Sequence, residues 1–424
     1  MTRNNTNART VLSLSAVAIL ITGAVLYAGP LDPPAGPIEP TGKTTQEVFD
    51  KAAAAEPRIA INATNTPGDP DEDPSPSLFK ISQPGSYYLT ANIIGEASKH
   101  GIEIASDNVT LDLNGFNVSG AGVAALSGIS DTGTAVRSVQ VHNGTISGWS
   151  GSGIDLQNAI GVTVERINAT ANDGFGIDVG VRSVIESCLA HSNGQSGFRI
   201  RQNTLVARCS AVANGVHGFR QQIGGGDGTS GGSGARFEAC EASLNTEDGI
   251  NADNGALIAG CRVGTNGSNG VNAGVGTRIS DSTATSNSAV GFLVGDASSV
   301  ASCTAISNAT HGISAASQCR ITGNRCTFNG AGPALGAGVF VQASAVQCLI
   351  ESNHCSSNDH ALWINGTNNI VIRNFGGASS FENFRAVAGN RVAPIVFAAT
   401  APAISGNTGG AALGSTDPNA NFSF

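Results

Sequence analysis

Apolar residues recur at nearly constant spacing through the middle of the chain, and this repeat limits the fold more than any other feature. The apolar ladder comprises Val164, Ile185, Val206, Phe237, Ile258, Ile279, Val300, Ile321, Ile350 and Ile372, in steps of 21, 21, 31, 21, 21, 21, 21, 29 and 22 residues. An asparagine ladder with the same steps of 21, 31 and 29 residues comprises Asn172, Asn193, Asn214, Asn245, Asn266, Asn287, Asn308, Asn329 and Asn358. Because the two ladders share their irregular steps, they belong to one structural repeat.

A third ladder pairs glycine with an apolar residue. It comprises Gly176-Ile177, Gly197-Phe198, Gly218-Phe219, Gly249-Ile250, Gly270-Val271, Gly291-Phe292 and Gly312-Ile313, with looser copies at Gly101-Ile102, Gly128-Ile129 and Gly153-Ile154. Between the ladders, apolar and polar residues alternate with period two, which is typical of short strands. One coil of about 21 residues cannot bury a face by itself, so successive coils must stack. The pattern predicts an all-β parallel β-helix, a solenoid with coils of about 21 residues.

The residue types suggest a role for each ladder. Strands of successive coils lie about 4.8 Å apart, so each ladder becomes a line of like side chains. The apolar ladder is expected to fill the interior. The asparagines are expected at tight turns, where they tolerate a left-handed backbone and can bond their copies in the next coil. The glycines are expected at the corners where the chain turns back.

The composition agrees with a repetitive β protein. Glycine is abundant, with 56 residues, while aromatic residues make up 5% and charged residues 12% of the chain. The net charge is −9, and all four lysines precede residue 101. With arginines spread mostly singly beyond that point, no basic stripe is available to bind a phosphate backbone. Nucleic acid is therefore not an expected partner.

The N-terminus resembles an export signal. Arg3 and Arg9 form a basic segment, and the run Val11–Leu26 is apolar. Residues 1–28 are predicted as a signal peptide cleaved after Ala28. An uncleaved N-terminal anchor is the alternative, and it would be the only membrane attachment. Either interpretation predicts a secreted, periplasmic or cell-surface protein.

The rest of the chain divides into three predicted segments. Residues 29–76 are predicted to form a linker with a short helix at Thr44–Ala55, where good helix formers follow a threonine. Residues 77–378 are predicted to form the β-helix, with a flexible glycine-rich insertion at Gly224–Gly234. Residues 379–424 lose the period and are predicted to be a C-terminal cap that covers the last strand edge.

The nine cysteines follow the repeat. Cys188, Cys209, Cys240, Cys261 and Cys303 share one ladder position, which Ser282, Asn324 and Asn353 take in other coils. No CxxC spacing occurs, so a metal site is not predicted and small buried packing residues are favoured. Export would permit disulfides, and Cys326–Cys355 and Cys319–Cys348 are the pairs to test first. An odd number leaves at least one thiol without a partner in the chain.

The ladders resemble those of right-handed parallel β-helix proteins of the pectin-lyase-like superfamily. The segment from Ser77 to Gly120 is similar to the opening of exported bacterial β-helix proteins, including those of planctomycetes. The resemblance covers roughly residues 77–378 and implies the right-handed fold. It does not imply one activity, because the superfamily includes lyases, hydrolases, epimerases and non-catalytic adhesins. The polygalacturonase-like motifs are absent, since the chain has no adjacent Asp pair and no lysine after Lys99.

A row of polar residues is predicted on the outside of the strands that follow the glycine ladder. The position two residues beyond each glycine is occupied by Asp155, Asp178, Arg199, Arg220, Asn251 and Asn272 in successive coils. The position before each glycine is occupied by Ser196, His217, Asp248, Asn269, Val290 and His311. These two rows are called the polar strip below. Arg199, Arg220, Asn251 and Asn272 are the candidate substrate-binding residues, because arginine pairs with uronate carboxylates and amides bond hydroxyls.

Four residues of the polar strip are candidate catalytic groups. Asp155 and Asp178 are stacked carboxylates, a pairing that raises one pKa, and His217 lies near Asp248 as an acid–base pair. The favoured alternative is an ordinary solvated face. The preferred function is a non-catalytic exported protein that binds extracellular polysaccharide or serves as a surface scaffold. The other hypothesis is a lyase, hydrolase or epimerase acting on an acidic polysaccharide. No metal or cofactor is predicted for either.

Overall fold

The computed structural model describes residues 44, 45, 47, 57–69, 76–120, 125–131, 133, 135–222, 234–330, 335–397 and 416–424. The chain divides into two compact units, Met1–Pro57 and Arg58–Phe424. In the first unit, the backbone N–H of Thr44 donates to the Glu47 carboxylate at 2.9 Å, and the Glu47 N–H donates to Thr44 Oγ1 at 3.1 Å. These bonds form a capping box. The rest of the predicted helix, the predicted signal peptide 1–28 and the glycine-rich insertion up to residue 233 lie outside the described residues.

The second unit is a right-handed parallel β-solenoid of about 14 turns, each of about 22 residues, which confirms the predicted fold. Its described strands form two parallel sheets. Sheet 1 contains Ser77–Ile81, His100–Ile104, Ile129–Asp131, Ile154–Leu156, Ile177–Val179, Phe198–Ile200, Phe219–Gln221, Ile250–Ala252, Val271–Ala273, Phe292–Val294, Ile313–Ala315, Ala337–Val341, His360–Ile364 and Glu382–Ala386.

Sheet 2 wraps the other sides of the coils. It contains Ile59–Ala60, Gly85–Tyr88, Ile93–Ile94, Val109–Asp112, Asn117–Ser119, Gln140–Ser147, Thr163–Thr170, Val184–Glu186, Leu189–His191, Leu205–Ala207, Ser210–Val212, Arg236–Glu238, Glu241–Ser243, Leu257–Ala259, Arg262–Gly264, Arg278–Ser280, Thr283–Thr285, Ser299–Ala301, Thr304–Ile306, Arg320–Thr322, Arg325–Thr327, Leu349–Glu351, His354–Ser356, Ile370–Ile372, Phe375–Gly377, Arg391–Val392, Ile395–Phe397 and Asn421–Ser423. No helix among the described residues is long and apolar enough to cross a membrane.

The apolar ladder stacks inside the solenoid, as predicted. Ile258, Ile279 and Val300 are register partners in successive coils, and each is buried. The prediction is wrong at the last position, because Ile350 pairs with Val371 and not with Ile372. Val371 is buried, whereas Ile372 is only partly buried. The strand Ile370–Ile372 is apolar throughout, so its sequence carries no alternation that fixes the inward residue.

The asparagine ladder closes one corner of each coil by hydrogen bonding, not by its own backbone conformation. The left-handed residue is the one before each asparagine, for example Leu244 with φ 58° and Thr265 with φ 56°. The prediction that asparagine itself takes this conformation is therefore wrong. The prediction that its amide bonds its copy is confirmed: Asn245 Nδ2 donates to Asn266 Oδ1 at 3.0 Å and to the Ala211 carbonyl at 3.1 Å. The amides thus satisfy buried backbone groups at the turn.

The glycine ladder is required by the close approach of the next coil. Gly249 does not have a positive φ, but a Cβ added to it would lie 2.7 Å from Asn266 Nδ2 and 2.7 Å from the Gly270 carbonyl oxygen. Gly249 also lies at a bend of the chain, immediately before the strand Ile250–Ala252, as expected for a corner position. Glycine is needed here because the next coil leaves no room for a side chain.

Gly249→Ala is expected to destabilise the solenoid by about 1–3 kcal/mol, the usual range for a side chain forced into a filled interior. The control is Gly276→Ala, where φ is +70° and no atom lies within 4 Å of the added Cβ. That variant carries only backbone strain, about 1 kcal/mol. Urea denaturation of both variants measures the difference. Equal losses would contradict the close-packing explanation.

The cysteines are buried, most of them at corners and Cys326 and Cys355 within strands, which confirms the packing interpretation. All nine are buried free thiols in the structure. The Cys188 N–H donates to Cys209 Sγ at 3.4 Å, in the way that the Cys303 N–H donates to Asn324 Oδ1 at 2.9 Å. The thiol therefore substitutes for an asparagine amide as an acceptor at this corner. Burial raises the pKa of the Cys209 thiol. Cys326 and Cys355 are register partners, as predicted.

Parallel pairing continues beyond residue 378. The strand Glu382–Ala386 pairs with His360–Ile364, and the strand Asn421–Ser423 lies between Phe375–Gly377 and Ile395–Phe397. Asn421 accepts the Asn374 N–H at 2.9 Å and so extends a corner ladder by one coil. Residues 398–415 lie outside the described residues, and the cap function of 379–424 stays a prediction.

Candidate functional site

The first row of the polar strip lies along sheet 1, one residue in each successive strand. The register pairs run Asp155↔Asp178, Asp178↔Arg199, Arg199↔Arg220, Arg220↔Asn251 and Asn251↔Asn272. Each residue stands between two inward-facing neighbours of its strand, so it belongs to the outer surface of the sheet. The predicted order of these six residues along the solenoid is confirmed.

The same row continues in both directions beyond the residues that the sequence singled out. Before Asp155 it holds Lys80, Glu103 and Ser130, and after Asn272 it holds Leu293, Ser314, Phe340, Trp363 and Arg385. We call this whole row, from Lys80 to Arg385, the face row. Its aromatic end was missed because the polar signal stops at Leu293. The placement of Phe340 two residues after Gly338 could have revealed it.

Asp178 is the most strongly held group of the row. It is completely buried, and its carboxylate accepts hydrogen bonds from Arg199 and, at 2.6 Å, from Arg201 Nη1. Arg201 is also buried, and its Nη1 donates to the Val179 carbonyl at 2.7 Å. The expectation of a solvated face is therefore wrong at Asp178. Sequence reasoning missed Arg201, although its position two residues after Arg199 places both on the same side of the chain.

Arg199 is fixed on three sides. Its guanidinium carbon lies 3.9 Å from the centroid of the Phe175 ring, and Nη2 donates to Gln157 Oε1 at 3.1 Å. Its side chain is 17% exposed. Because its charge already neutralises the buried Asp178 carboxylate, Arg199 is a structural cation that presents only a small surface to a ligand.

Asp155, the neighbour of Asp178 on the face row, has a pKa that is shifted toward neutral pH. Burial, reinforced by the negative charges of Asp178 and Asp131, raises the pKa of Asp155 from 3.8 to about 6. This agrees with the expectation that stacking two carboxylates raises one pKa. The Oδ1 atom of Asp155 is buried and has no hydrogen-bond partner among the described residues. Such an oxygen is costly when charged and more easily tolerated when the carboxyl is protonated.

The Asp155→Asn variant is expected to be more stable than the parent protein above pH 6, by on the order of 2 kcal/mol. The folded pKa of Asp155 is raised, so between about pH 4 and 6 the folded chain binds more protons there than the unfolded chain. Stability from this group is therefore lost as the pH rises through this window, and the neutral amide avoids the loss. Urea denaturation from pH 4 to 8, with the exposed Asp173→Asn as control, measures it. A pH-independent difference between parent and variant would contradict this account.

His217 and Asp248 are adjacent, but the carboxylate does not orient the ring. The Asp248 backbone N–H donates to His217 Nδ1 at 3.2 Å, while the Asp248 carboxylate lies 3.7 Å from the same nitrogen. His217 Nε2 lies 3.3 Å from the Glu247 carboxylate. Burial, aided by the charge of Arg220, lowers the pKa of His217. The ring is therefore neutral at pH 7, with the proton on Nε2.

The Asp248 carboxylate organises the amide part of the strip. It accepts hydrogen bonds from Asn251 Nδ2 at 2.9 Å, from Asn272 Nδ2 at 3.2 Å, and from the backbone and side-chain N–H groups of Asn269 at 2.9 Å each. Burial alone would raise the pKa of Asp248, but these bonds hold it below its ordinary value. Asn251 and Asn272 are thus fixed in place, and each remains partly exposed.

The aromatic end of the face row is a stacked cluster. The His311 and Phe340 rings lie parallel with centroids 4.2 Å apart, and Phe340 meets Trp363 edge-on at 5.1 Å. The Arg385 guanidinium lies over the Trp363 ring at 4.6 Å. Phe340 and Trp363 are partly buried, whereas Arg385 is exposed. The packing fixes the rotamers of this end.

No metal-binding group of three or more His, Cys, Asp or Glu side chains occurs in the described parts of the chain. The residues of the row can bind, by charge, hydrogen bonding and aromatic contact, a ligand that runs along the sheet.

Solved structures with a similar fold include the A-module of the mannuronan C-5 epimerase AlgE4 of Azotobacter vinelandii, with 15% identity and a TM-score of 0.48, covering 76% of this chain and 93% of that one. Another is PfbA, a surface adhesin of Streptococcus pneumoniae, with 11% identity, a TM-score of 0.42, and coverage of 68% and 83%. Pectate lyase Pel9A has 16% identity, a TM-score of 0.40, and coverage of 62% and 74%.

No curated protein matches the chain in sequence. The model of the family described as "Right handed beta helix region" matches residues 80–230, 177–301 and 227–375 in overlapping segments. These segments together span most of the chain and cover the face row from Lys80 to Trp363. The chain belongs to this right-handed β-helix family.

Proposed function

We propose that this chain is an exported, non-catalytic β-helix that binds an extended acidic polysaccharide along the face row. The observation that carries the proposal is the face row itself, one side chain per coil, which passes from Arg199 and Arg220 through Asn251 and Asn272 to the aromatic cluster. Arginine binds carboxylates, amides bond hydroxyl groups, and aromatic rings pack against the apolar faces of sugars.

The state of the candidate catalytic groups supports binding over catalysis. The Asp178 carboxylate is completely buried and bound to two arginines, and the Asp248 carboxylate accepts four N–H contacts. The acceptor nitrogen of His217 is occupied by a backbone N–H. A general base needs a free lone pair within reach of the substrate proton. These three groups instead hold the surface rigid, which lowers the entropy cost of binding.

Export is part of the proposal and is supported by the N-terminal sequence alone. Arg3 and Arg9 precede the apolar run Val11–Leu26, the order found in signal peptides. An extracellular or periplasmic location would bring the face row into contact with acidic polysaccharide.

Arg220 is the residue that tests the binding proposal. It is partly exposed, and no described carboxylate forms an ion pair with it. The parent protein is expected to bind acidic polysaccharides on a glycan array, and Arg220→Ala is expected to weaken binding at least about tenfold, equal to about 1.4 kcal/mol. The matched control is Arg278→Ala, an exposed arginine on sheet 2. Absence of binding by the parent, or equal binding by Arg220→Ala, would refute the proposal.

One observation favours a second candidate function, that of a polysaccharide lyase, glycoside hydrolase or epimerase. Asp155 has a pKa near 6 and an unpartnered oxygen, features that suit a proton-transferring group. Incubation with acidic polysaccharides, followed by analysis for unsaturated ends, reducing ends and changed stereochemistry, tests this function. A product formed by the parent protein and not by Asp155→Asn would establish the enzyme and displace the non-catalytic proposal.

A further inference from the structure

We infer that the face row holds a long acidic saccharide chain at two separated cationic anchors, Arg220 and Arg385, with a neutral surface between them. The inference rests on the proposed function, and it adds a minimum ligand length and a second binding residue that the sequence did not single out.

The first anchor, Arg220, carries a charge that no carboxylate among the described residues neutralises. Its register partner on one side is Arg199, whose own charge is taken up by Asp178, and on the other side Asn251. An anionic ligand group at Arg220 forms a charge-assisted bond with the partly exposed guanidinium.

The second anchor, Arg385, is the last residue of the face row. It is exposed, and no carboxylate in the described segments lies within ion-pair distance of its guanidinium. Its position over the Trp363 ring, at 4.6 Å, and the edge-on contact of Trp363 with Phe340 hold it in place. A guanidinium stacked on an aromatic ring keeps its N–H edge free for a carboxylate.

The surface between the anchors carries no charge on the row. The intervening residues are Asn251, Asn272, Leu293, Ser314, Phe340 and Trp363. From Arg220 to Arg385 the row makes seven strand-to-strand steps, which correspond to about 34 Å at normal strand spacing. A polymer can lie along this surface without meeting a repelling carboxylate of the row, and its hydroxyl groups and ring faces meet amides and aromatic side chains.

Two anchors on one rigid face predict a strong dependence on ligand length. Once one end of a polymer is bound, the second contact forms at a high effective concentration, which raises affinity by about a hundredfold or more without any new residue. An oligomer too short to reach both arginines gains nothing from the second one.

The experiment uses two oligogalacturonates, one shorter and one longer than the anchor separation of about 34 Å. Isothermal titration of the full-length protein is expected to show the longer oligomer binding about a hundredfold more tightly. Arg220→Ala and Arg385→Ala are each expected to reduce the affinity for the longer oligomer to about that for the shorter one. Arg278→Ala on sheet 2 is the control for loss of one exposed positive charge.

Tryptophan emission provides a second readout that is confined to the Arg385 end. The chain has two tryptophans, and Trp149 is 1% exposed, so a ligand on the face row can contact only Trp363. The longer oligomer is expected to change the emission of the parent and of Arg278→Ala, and the change is expected to disappear in Trp363→Phe.

The outcomes separate this inference from the proposed function. If both oligomers bind with equal affinity, or if Arg385→Ala binds like the parent while Arg220→Ala is impaired, the two-anchor inference is overturned and the binding function stands. If no acidic saccharide binds the parent protein, both fail. If a neutral oligosaccharide of the same length binds as tightly as the longer oligogalacturonate, the anchors are not cationic sites and the inference also fails.

Discussion

Replacing Ile279 by aspartate is expected to destabilise the solenoid by several kcal/mol, the largest effect of any single substitution considered. Ile279 is 1% exposed and is stacked between Ile258 and Val300 in the neighbouring coils. A carboxylate at this position would have no polar partner in the interior, and burial of an unpaired charge is strongly unfavourable. Denaturation monitored by far-UV circular dichroism measures the loss.

The matched control is Ile370→Asp, in another strand of the same sheet. Ile370 is 43% exposed, so the new carboxylate reaches water, and a change of about 0.5 kcal/mol or less is expected. Because each coil contacts only its neighbours, the Ile279→Asp defect can also divide the solenoid into two segments that unfold separately. Similar stability of the two variants would contradict the inward register of the apolar ladder.

The fold could be predicted well from the sequence because a solenoid repeats the same residue pattern in every coil. The shared 21, 31 and 29 steps of the ladders already required stacked coils, and the register of Ile258, Ile279 and Val300 followed from counting. Errors arose where a local signal is ambiguous. The strand Ile370–Ile372 is apolar throughout, so the pattern did not show that Val371, and not Ile372, faces the interior. The left-handed conformation at the corner was assigned to the asparagines, although the residues that precede them, such as Leu244, adopt it. Hydrogen bonding by the following asparagine selects that conformation, against the preference of leucine.

The positions of the candidate site residues were predicted correctly, but the burial and ion pairing of Asp178 were not. The order of Asp155, Asp178, Arg199 and Arg220 along sheet 1 follows from the repeat. Whether a residue of the outer row is solvated depends on how far neighbouring side chains reach. Arg201 extends back across one coil to Asp178, and no periodicity of residue types records such a contact. Charge burial at Asp178 therefore could not be obtained from the pattern.

Arg201→Met is the second substitution with a large expected effect, about 3–5 kcal/mol, because it leaves Asp178 as a buried charge with one partner removed. Asp178 is completely buried, and Arg201 Nη1 is 2.6 Å from its Oδ1. Methionine keeps much of the arginine's apolar length, so the loss comes mainly from the missing ion pair. The measurement is again the free energy of unfolding in urea.

The double variant Asp178→Asn, Arg201→Met tests whether the loss of stability in Arg201→Met comes from the uncompensated charge of the Asp178 carboxylate. With a neutral amide at position 178, no uncompensated carboxylate remains, and Arg199, whose side chain is 17% exposed, can turn toward water or donate to the amide oxygen. The double variant is therefore expected to recover most of the stability lost in Arg201→Met. Arg220→Met, at a position without a described acidic partner, is expected to change stability by about 0.5 kcal/mol or less. If Arg201→Met and Arg220→Met are equally stable, Asp178 is not held by Arg201 and the rigid surface on which the binding proposal depends is absent.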